Sequence, residues 1–100
     1  MPHDHPMLPN AKLLRLAELR LSREGDDVMV DAYFQGPGHE LTHLAFVGVK
    51  DLRVAKYQPE ARGYQLLDVR DLGKRGRAVR LVPPKGKGVA LEARVVMSVD

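Results

Sequence analysis

The C-terminal segment carries the clearest alternation of apolar and polar positions in the chain. Apolar side chains occupy every second position from residue 89 to residue 99, namely Val89, Leu91, Ala93, Val95, Met97 and Val99. A period of two places these side chains on one face of an extended chain, so the segment predicts one strand with one buried face. Residues 78–82 alternate in the same way, and the proline- and glycine-containing residues 83–88 lie between the two segments. Together they predict a β-hairpin.

The same alternation recurs upstream in short segments separated by turn residues. These segments cover residues 28–35, 41–49, 52–54 and 64–70, and they are separated by clusters such as Gly-Pro-Gly at 36–38. Short strands with turn signals every 8–12 residues are typical of antiparallel β-sandwiches and barrels. The sequence therefore predicts a single all-β domain over residues 10–100, an antiparallel sandwich or half-open barrel of about seven strands. Its expected core residues are Val28, Val30, Phe34, Leu41, Phe46, Val79, Leu81, Leu91, Val95 and Met97.

The segment from residue 10 to residue 24 leaves two structures open. Its leucine, alanine, arginine, lysine and glutamate residues favour a helix, which Asn10 could cap and Gly25 could end. Its apolar positions also fit one face of a strand that would form a hairpin with residues 28–35. We predict the strand and keep a short N-terminal helix as the alternative. Residues 1–9 contain three prolines, which disfavour a helix and predict a flexible, exposed N-terminal arm.

Composition narrows the class of protein. A chain of 100 residues with 44% hydrophobic and 29% charged residues is typical of one globular domain. No apolar run approaches the ~18–20 residues that a membrane span needs, so no membrane interaction is predicted. The chain has no cysteine, which excludes disulfides, thiolate nucleophiles and cysteine-bound zinc. We expect a cytoplasmic protein without a cofactor, and the absence of isoleucine indicates a G+C-rich, bacterial genome.

Residues 39–43, with the sequence HELTH, match the pattern H-E-x-x-H and resemble the zinc-peptidase (zincin) motif. In that family the motif lies on a helix, and the resemblance would make His39 and His43 zinc ligands and Glu40 the general base of a minimal zinc hydrolase. The Gly-Pro-Gly sequence at 36–38 and the β-prone residues 46–49 favour a strand instead. On a strand His39, Leu41 and His43 share one face and Glu40 lies on the other, so the three groups cannot converge. The sequence predicts a strand here, without a metal site or catalytic residue.

Seven basic residues fall within eighteen positions and form the strongest charge feature of the chain. They are opposed only by Asp71 in that stretch, and we take them as the candidate partner-binding residues: Arg70, Lys74, Arg75, Arg77, Arg80, Lys85 and Lys87. A basic patch attracts polyanions, including nucleic acid, or a protein with an acidic surface. Single-strand binding normally adds aromatic platforms for base stacking, and this stretch contains none. We therefore predict a protein partner ahead of nucleic acid.

The residues FVGVKDLRV at 46–54 and LDVRDL at 67–72 are similar to passages in small uncharacterised bacterial all-β proteins, some of which are grouped with contact-toxin immunity proteins. The resemblance covers about a third of the chain and includes no catalytic residue. It implies a non-enzymatic, partner-binding role. We expect an interaction domain, monomeric or homodimeric, and keep a zinc hydrolase and a polyanion binder as alternatives.

Overall fold

Nine β-strands form two antiparallel sheets in the part of the chain that the computed structural model describes, residues 3–4, 8, 13–70 and 77–99. In chain order they are β1 (His3–Asp4), β2 (Arg15–Glu24), β3 (Asp27–Gln35), β4 (Leu41–Val47), β5 (Lys50–Ala55), β6 (Gln65–Asp68), β7 (Val79–Val82), β8 (Gly88–Ala93) and β9 (Val95–Val99). One sheet has the order β1-β6-β7-β8-β5 and the other has the order β2-β3-β4-β9. The predicted all-β, antiparallel fold is confirmed.

The core lies between the two sheets and combines alternate residues of their inner faces. Six of the ten predicted core residues are buried: Val30, Phe34, Phe46, Val79, Leu81 and Leu91. Val28 is only half-buried. The prediction is wrong for Leu41, Val95 and Met97, which are 62%, 41% and 44% exposed.

Two of these errors have one cause, because the predicted C-terminal strand is in fact two strands. The chain leaves β8 at Arg94 and enters β9 in the other sheet, and the Arg94 N–H donates to the Val47 carbonyl across 3.1 Å. The inward positions change parity at this crossing. Val96 becomes the buried residue, opposite Phe46, while Val95 and Met97 point outward. The division of this segment raises the predicted seven strands to eight, besides the two-residue β1.

The N-terminal segment resolves in favour of the strand. Residues 15–24 form β2, which pairs antiparallel with β3 through a register shift between Leu16 and Glu18, so the helix alternative is wrong for these residues. Leu16 is buried in the core. Within residues 1–9, the strand β1 pairs with Leu67 and Asp68 of β6 and Leu8 is buried. The other residues of the predicted arm, and Asn10, lie outside the described residues.

Tyr64 is the largest fully buried side chain of the core. Its ring meets Phe34 edge to face, with the centroids 5.7 Å apart. Its hydroxyl accepts a hydrogen bond from the Val89 N–H across 3.2 Å, at the point where the chain enters β8. Burial raises the pKa of the Tyr64 hydroxyl above its usual value of 10.0. Tyr64 therefore fills the core with its ring and accepts the hydrogen bond of the buried Val89 N–H with its hydroxyl.

We expect Tyr64→Phe to lower the free energy of unfolding by about 1–3 kcal/mol near neutral pH, because it removes the acceptor of the buried Val89 N–H. At alkaline pH the free energies of unfolding of the wild type and the variant should converge. Above pH 10 the unfolded tyrosine releases its proton while the folded Tyr64 keeps it, so wild-type stability falls as pH rises and the variant lacks this loss. Urea unfolding at neutral pH and between pH 10 and about 11 measures both effects. Equal stabilities, or parallel alkaline profiles, would contradict the assignment.

Candidate interaction surface

The outer face of the four-stranded sheet divides into a polar part and an apolar part. Strand pairing sets this arrangement, because residues directly opposite each other on neighbouring strands point to the same face. Tyr33 of β3 pairs with His43 of β4, and His43 pairs with Val99 of β9. Two residue pairs further along the strands, and so on the same face, Ala45 lies opposite Met97. The polar side chains thus lie toward β2 and β3, and the apolar ones toward β9.

The HELTH residues are not helical. β4 begins at Leu41, and His39 lies in the preceding turn with a φ of 67°. The His39 N–H donates to the Gly36 carbonyl across 3.1 Å, which closes that turn. The predicted strand is confirmed for residues 41–47, whereas His39 and Glu40, which were also predicted to lie on it, precede it. His39 therefore does not extend the outward face of β4, and the one-turn helical spacing that brings both histidines of a zincin to one metal is lacking.

His43 belongs to a compact polar cluster on the outer face. Its Nε2 lies 2.8 Å from Asp31 Oδ1, and its ring stacks on Tyr33 with the centroids 4.2 Å apart. The guanidinium carbon of Arg20, on β2, lies 5.7 Å from the centre of the Tyr33 ring. Cross-strand stacking and a side-chain hydrogen bond of this kind restrict the side-chain rotamers of the sheet face. The histidine of the motif thus has a structural partner in Asp31.

The apolar part of the face, which we call the β4–β9 surface, consists of Leu41, Ala45, Val95, Met97 and Val99. Leu41, Val95, Met97 and Val99 are 62%, 41%, 44% and 38% exposed. Ala45 lies opposite Asp31 of β3 on one side and opposite Met97 of β9 on the other, and it is only 5% exposed. The surface runs to the edge of the sheet, because β9 is the last strand in its order. Four large apolar residues are therefore exposed together beside one sheet edge.

The structure describes five of the seven candidate partner-binding residues of the basic stretch, and these five differ in their surroundings. Arg70 pairs with Asp68, whose Oδ2 lies 2.6 Å from Arg70 Nη2. Lys85 and Lys87 are exposed in and after a one-turn 3-10 helix at Pro84–Gly86. Lys74 and Arg75 lie outside the described residues. The remaining two, Arg77 and Arg80, lie at the five-stranded sheet.

These two arginines are joined by a buried carboxylate that sequence inspection did not single out. Glu92 of β8 is 8% exposed and lies opposite Arg80 of β7. Its Oε2 lies 3.0 Å from Arg80 Nη2, and its Oε1 lies 2.8 Å from Arg77 Nη1. Asp51 of β5 adds a second carboxylate, 2.7 Å from the same Arg77 atom. Two positive charges are thus matched by two negative ones in a network that spans β5, β7 and β8.

Concave sites on the described surface are small and open. Three depressions hold about 250, 270 and 290 Å³. The largest of these three lies between the edges of β2 and β5 and is lined by residues that include Leu16, Val54 and Tyr57. None of the three is lined by His39, Glu40 or His43. Among the residues that the structure describes, no three or more acidic or histidine side chains are grouped so that they could hold a metal ion.

Sequence inspection missed Asp31, Glu92 and the exposure of β9 for different reasons. Asp31 and Glu92 are ordinary acidic residues in alternating segments, and only cross-strand register pairs them with His43 and Arg80. The single usable signal was the doubled valine at 95–96, where the apolar alternation admits either parity.

In the described part of the chain, no helix is long and apolar enough to cross a membrane.

The chain matches no protein-family model, no curated protein and no solved structure. The functional evidence for this chain is therefore the geometry of its own surfaces.

Proposed function

We propose that this chain is a non-enzymatic interaction domain and that it binds a protein partner through the β4–β9 surface. The observation that carries the proposal is the joint exposure of Leu41, Val95, Met97 and Val99 next to the β9 edge. A cytoplasmic location and a bacterial source belong to the same proposal, and rest on the absence of cysteine and isoleucine.

Two physical arguments support this surface. Contiguous exposed apolar side chains are stabilised when a partner removes them from water, by roughly 25 cal/mol per Å² of apolar area. The adjoining edge strand also offers unpaired backbone N–H and C=O groups to an incoming strand. An apolar patch and an open edge thus meet on β9, and a partner could use both at once.

The two alternatives have less support from the same geometry. A zinc hydrolase would require His39, Glu40 and His43 to converge, and His39 lies in a turn while His43 bonds Asp31. A polyanion binder would use the basic residues between positions 70 and 87, and acidic side chains lie within ion-pair distance of three of them, Arg70, Arg77 and Arg80. Binding by the β4–β9 surface needs no such rearrangement.

A photo-crosslinking amino acid at position 41 should give a discrete covalent adduct in cells that produce the chain, because Leu41 is an exposed part of the β4–β9 surface. Leu21 provides a matched control, since it is also 62% exposed but lies on β2 at the far side of the sheet. The adduct at position 41 should disappear when Met97→Lys is added, because a charge in the surface disfavours apolar docking. Adducts of the same kind from both positions, or none from position 41, would contradict the proposal.

A further inference from the structure

We infer that the partner of the β4–β9 surface is a second copy of this chain, joined by antiparallel pairing of β9 with β9 of that copy. The inference rests on the proposed function, because it names the partner of the same surface. The two sheets have four edge strands, which are β1 and β5 in one sheet and β2 and β9 in the other.

Three of these edges carry features that hinder pairing with another chain, and β9 does not. β1 has only two residues. β2 contains five charged residues among ten, and its pairing with β3 is interrupted by a register shift. β5 contains Lys50, Asp51 and Arg53 and has a register shift of its own. Short length, charge and bulges are the devices by which sheet edges avoid unwanted pairing.

The sequence of β9 is Val-Val-Met-Ser-Val, without charge, proline or glycine. Its register against β4 runs unbroken from the pair His43–Val99 to the pair Val47–Val95. A regular strand of this kind keeps its outer backbone groups in line for a further strand. Among the four edges, β9 is therefore the one suited to pairing with another chain.

The symmetry of the strand defines the register. Two identical strands that pair antiparallel are related by a two-fold axis, which gives a closed dimer and not a growing fibre. All five residues of β9 are paired only when the axis passes through Met97, the middle residue of Val95–Val99. Val95 then lies opposite Val99 of the second copy, and Met97 lies opposite Met97. These are apolar cross-strand pairs, which stabilise a sheet.

The same pairing gives the outward side chains of β9 apolar cross-strand neighbours. It makes one continuous eight-stranded sheet from the two four-stranded ones and places the two β4–β9 surfaces side by side. The charged β2 edges lie at the two far ends, three strands from the axis, so the charges of β2 are kept away from the contact. A partner with a charged edge would find no complementary charge on β9.

The size of the contact sets the expected affinity. Five paired residues extend over roughly 17 Å, which gives a contact well below the ~1,600 Å² of a standard interface. We therefore expect a reversible dimer with a dissociation constant on the order of 10 µM.

Sedimentation of the full chain from about 1 µM to about 500 µM tests the inference. Wild-type protein should pass from monomer to dimer over this range. Met97→Lys and Met97→Glu should each weaken dimerisation at least ~10-fold, because they place like charges opposite each other at the axis. An equimolar mixture of the two variants should dimerise again, and Leu21→Lys should behave as wild type.

Single cysteines test the register, because the natural chain has none. Met97→Cys should form a disulfide-linked dimer quickly, since directly opposite residues lie within the Cα separation that a disulfide needs. Val95→Cys is the matched control, because its exposure is similar and its counterpart lies about four residues away, roughly 14 Å.

A wild-type chain that stays monomeric throughout the range would overturn the inference, and so would a dimer that persists in Met97→Lys. Equal linking rates for Met97→Cys and Val95→Cys would overturn it as well. The proposed function would survive these results if the probe at position 41 captured a different protein and lost it in Met97→Lys. If the probe gave no discrete adduct either, both would fail.

Discussion

Gly88→Ala is expected to lower the free energy of unfolding by about 3–5 kcal/mol, because it combines backbone strain with a collision in the core. Gly88 has a φ of 135°, a region that residues with a Cβ rarely adopt. An added Cβ would lie 3.1 Å from Tyr64 Cζ and 3.2 Å from Pro83 Cβ, and it would meet the Tyr64 hydroxyl oxygen more closely still. Tyr64 cannot move freely, because its side chain is buried and its hydroxyl accepts a hydrogen bond from the Val89 N–H.

Gly86→Ala is the matched control, since Gly86 lies two residues earlier in the same loop and also has a positive φ, of 70°. A Cβ there would meet no atom within 4 Å, so only the backbone cost of about 1–2 kcal/mol is expected. Chemical denaturation of both variants measures the difference. Equal losses would show that strain alone determines the effect and that the contact with Tyr64 is unimportant.

A double-mutant cycle assigns the collision to one atom. In the Tyr64→Phe background the hydroxyl oxygen is gone, so Gly88→Ala should cost at least about 1 kcal/mol less than it does in wild type. Strictly additive losses would contradict the close approach of Gly88 to the hydroxyl. The result bears on the whole fold, because Gly88 begins β8, which lies between β7 and β5 in the sheet.

The fold was predictable from sequence where alternation and turn signals agreed. In β3, Val30 and Phe34 are buried at alternate positions, and a Gly-Pro-Gly turn ends the strand. In β7 and β8, Leu81 and Leu91 pair across a hairpin with their side chains in the core. A period of two in such segments follows directly from the geometry of an extended chain with one buried face.

The prediction failed where the chain changes sheets. At Arg94 the strand breaks and the inward parity changes, so alternate residues before and after the break do not share a face. Both Val95 and Val96 are apolar, and the sequence therefore contains no polar residue to mark which of them points outward. The consequence is large for the candidate site, since Val95 and Met97 are predicted core residues and both are exposed.

The basic stretch shows a second limit of sequence inspection. Counting charges along the chain opposes Arg77 and Arg80 only to Asp71, whereas the sheet brings Glu92 and Asp51 to them from residues 12 to 26 positions away. Strand register, which single-sequence patterns do not define, determines these pairs. A linear cluster of charge is thus a weak indication of a patch in an antiparallel sheet.

Glu92→Gln should lower the free energy of unfolding by about 2–3 kcal/mol, because it leaves two neighbouring guanidinium groups without their shared carboxylate. The loss is placed below the ~3–5 kcal/mol of a fully buried pair, since the side chains of Arg77 and Arg80 are 24% and 33% exposed. The variant should also be retained more strongly by heparin at low salt, since Arg80 loses its carboxylate partner and Arg77 keeps only the carboxylate of Asp51.

Glu18→Gln separates this local effect from the change in net charge, which is the same in both variants. Glu18 forms an exposed pair with Arg20, so its loss should cost less than about 1 kcal/mol and change heparin retention little. If the two variants were equally stable and equally retained, the network around Glu92 would not neutralise the arginines. Strong, salt-dependent binding of an oligonucleotide by the wild-type chain would favour the polyanion alternative over the protein-binding one. Increased retention of Glu92→Gln alone would instead mean that Glu92 keeps these arginines from anionic ligands, and that contact with a partner is left to the uncharged edge of the other sheet.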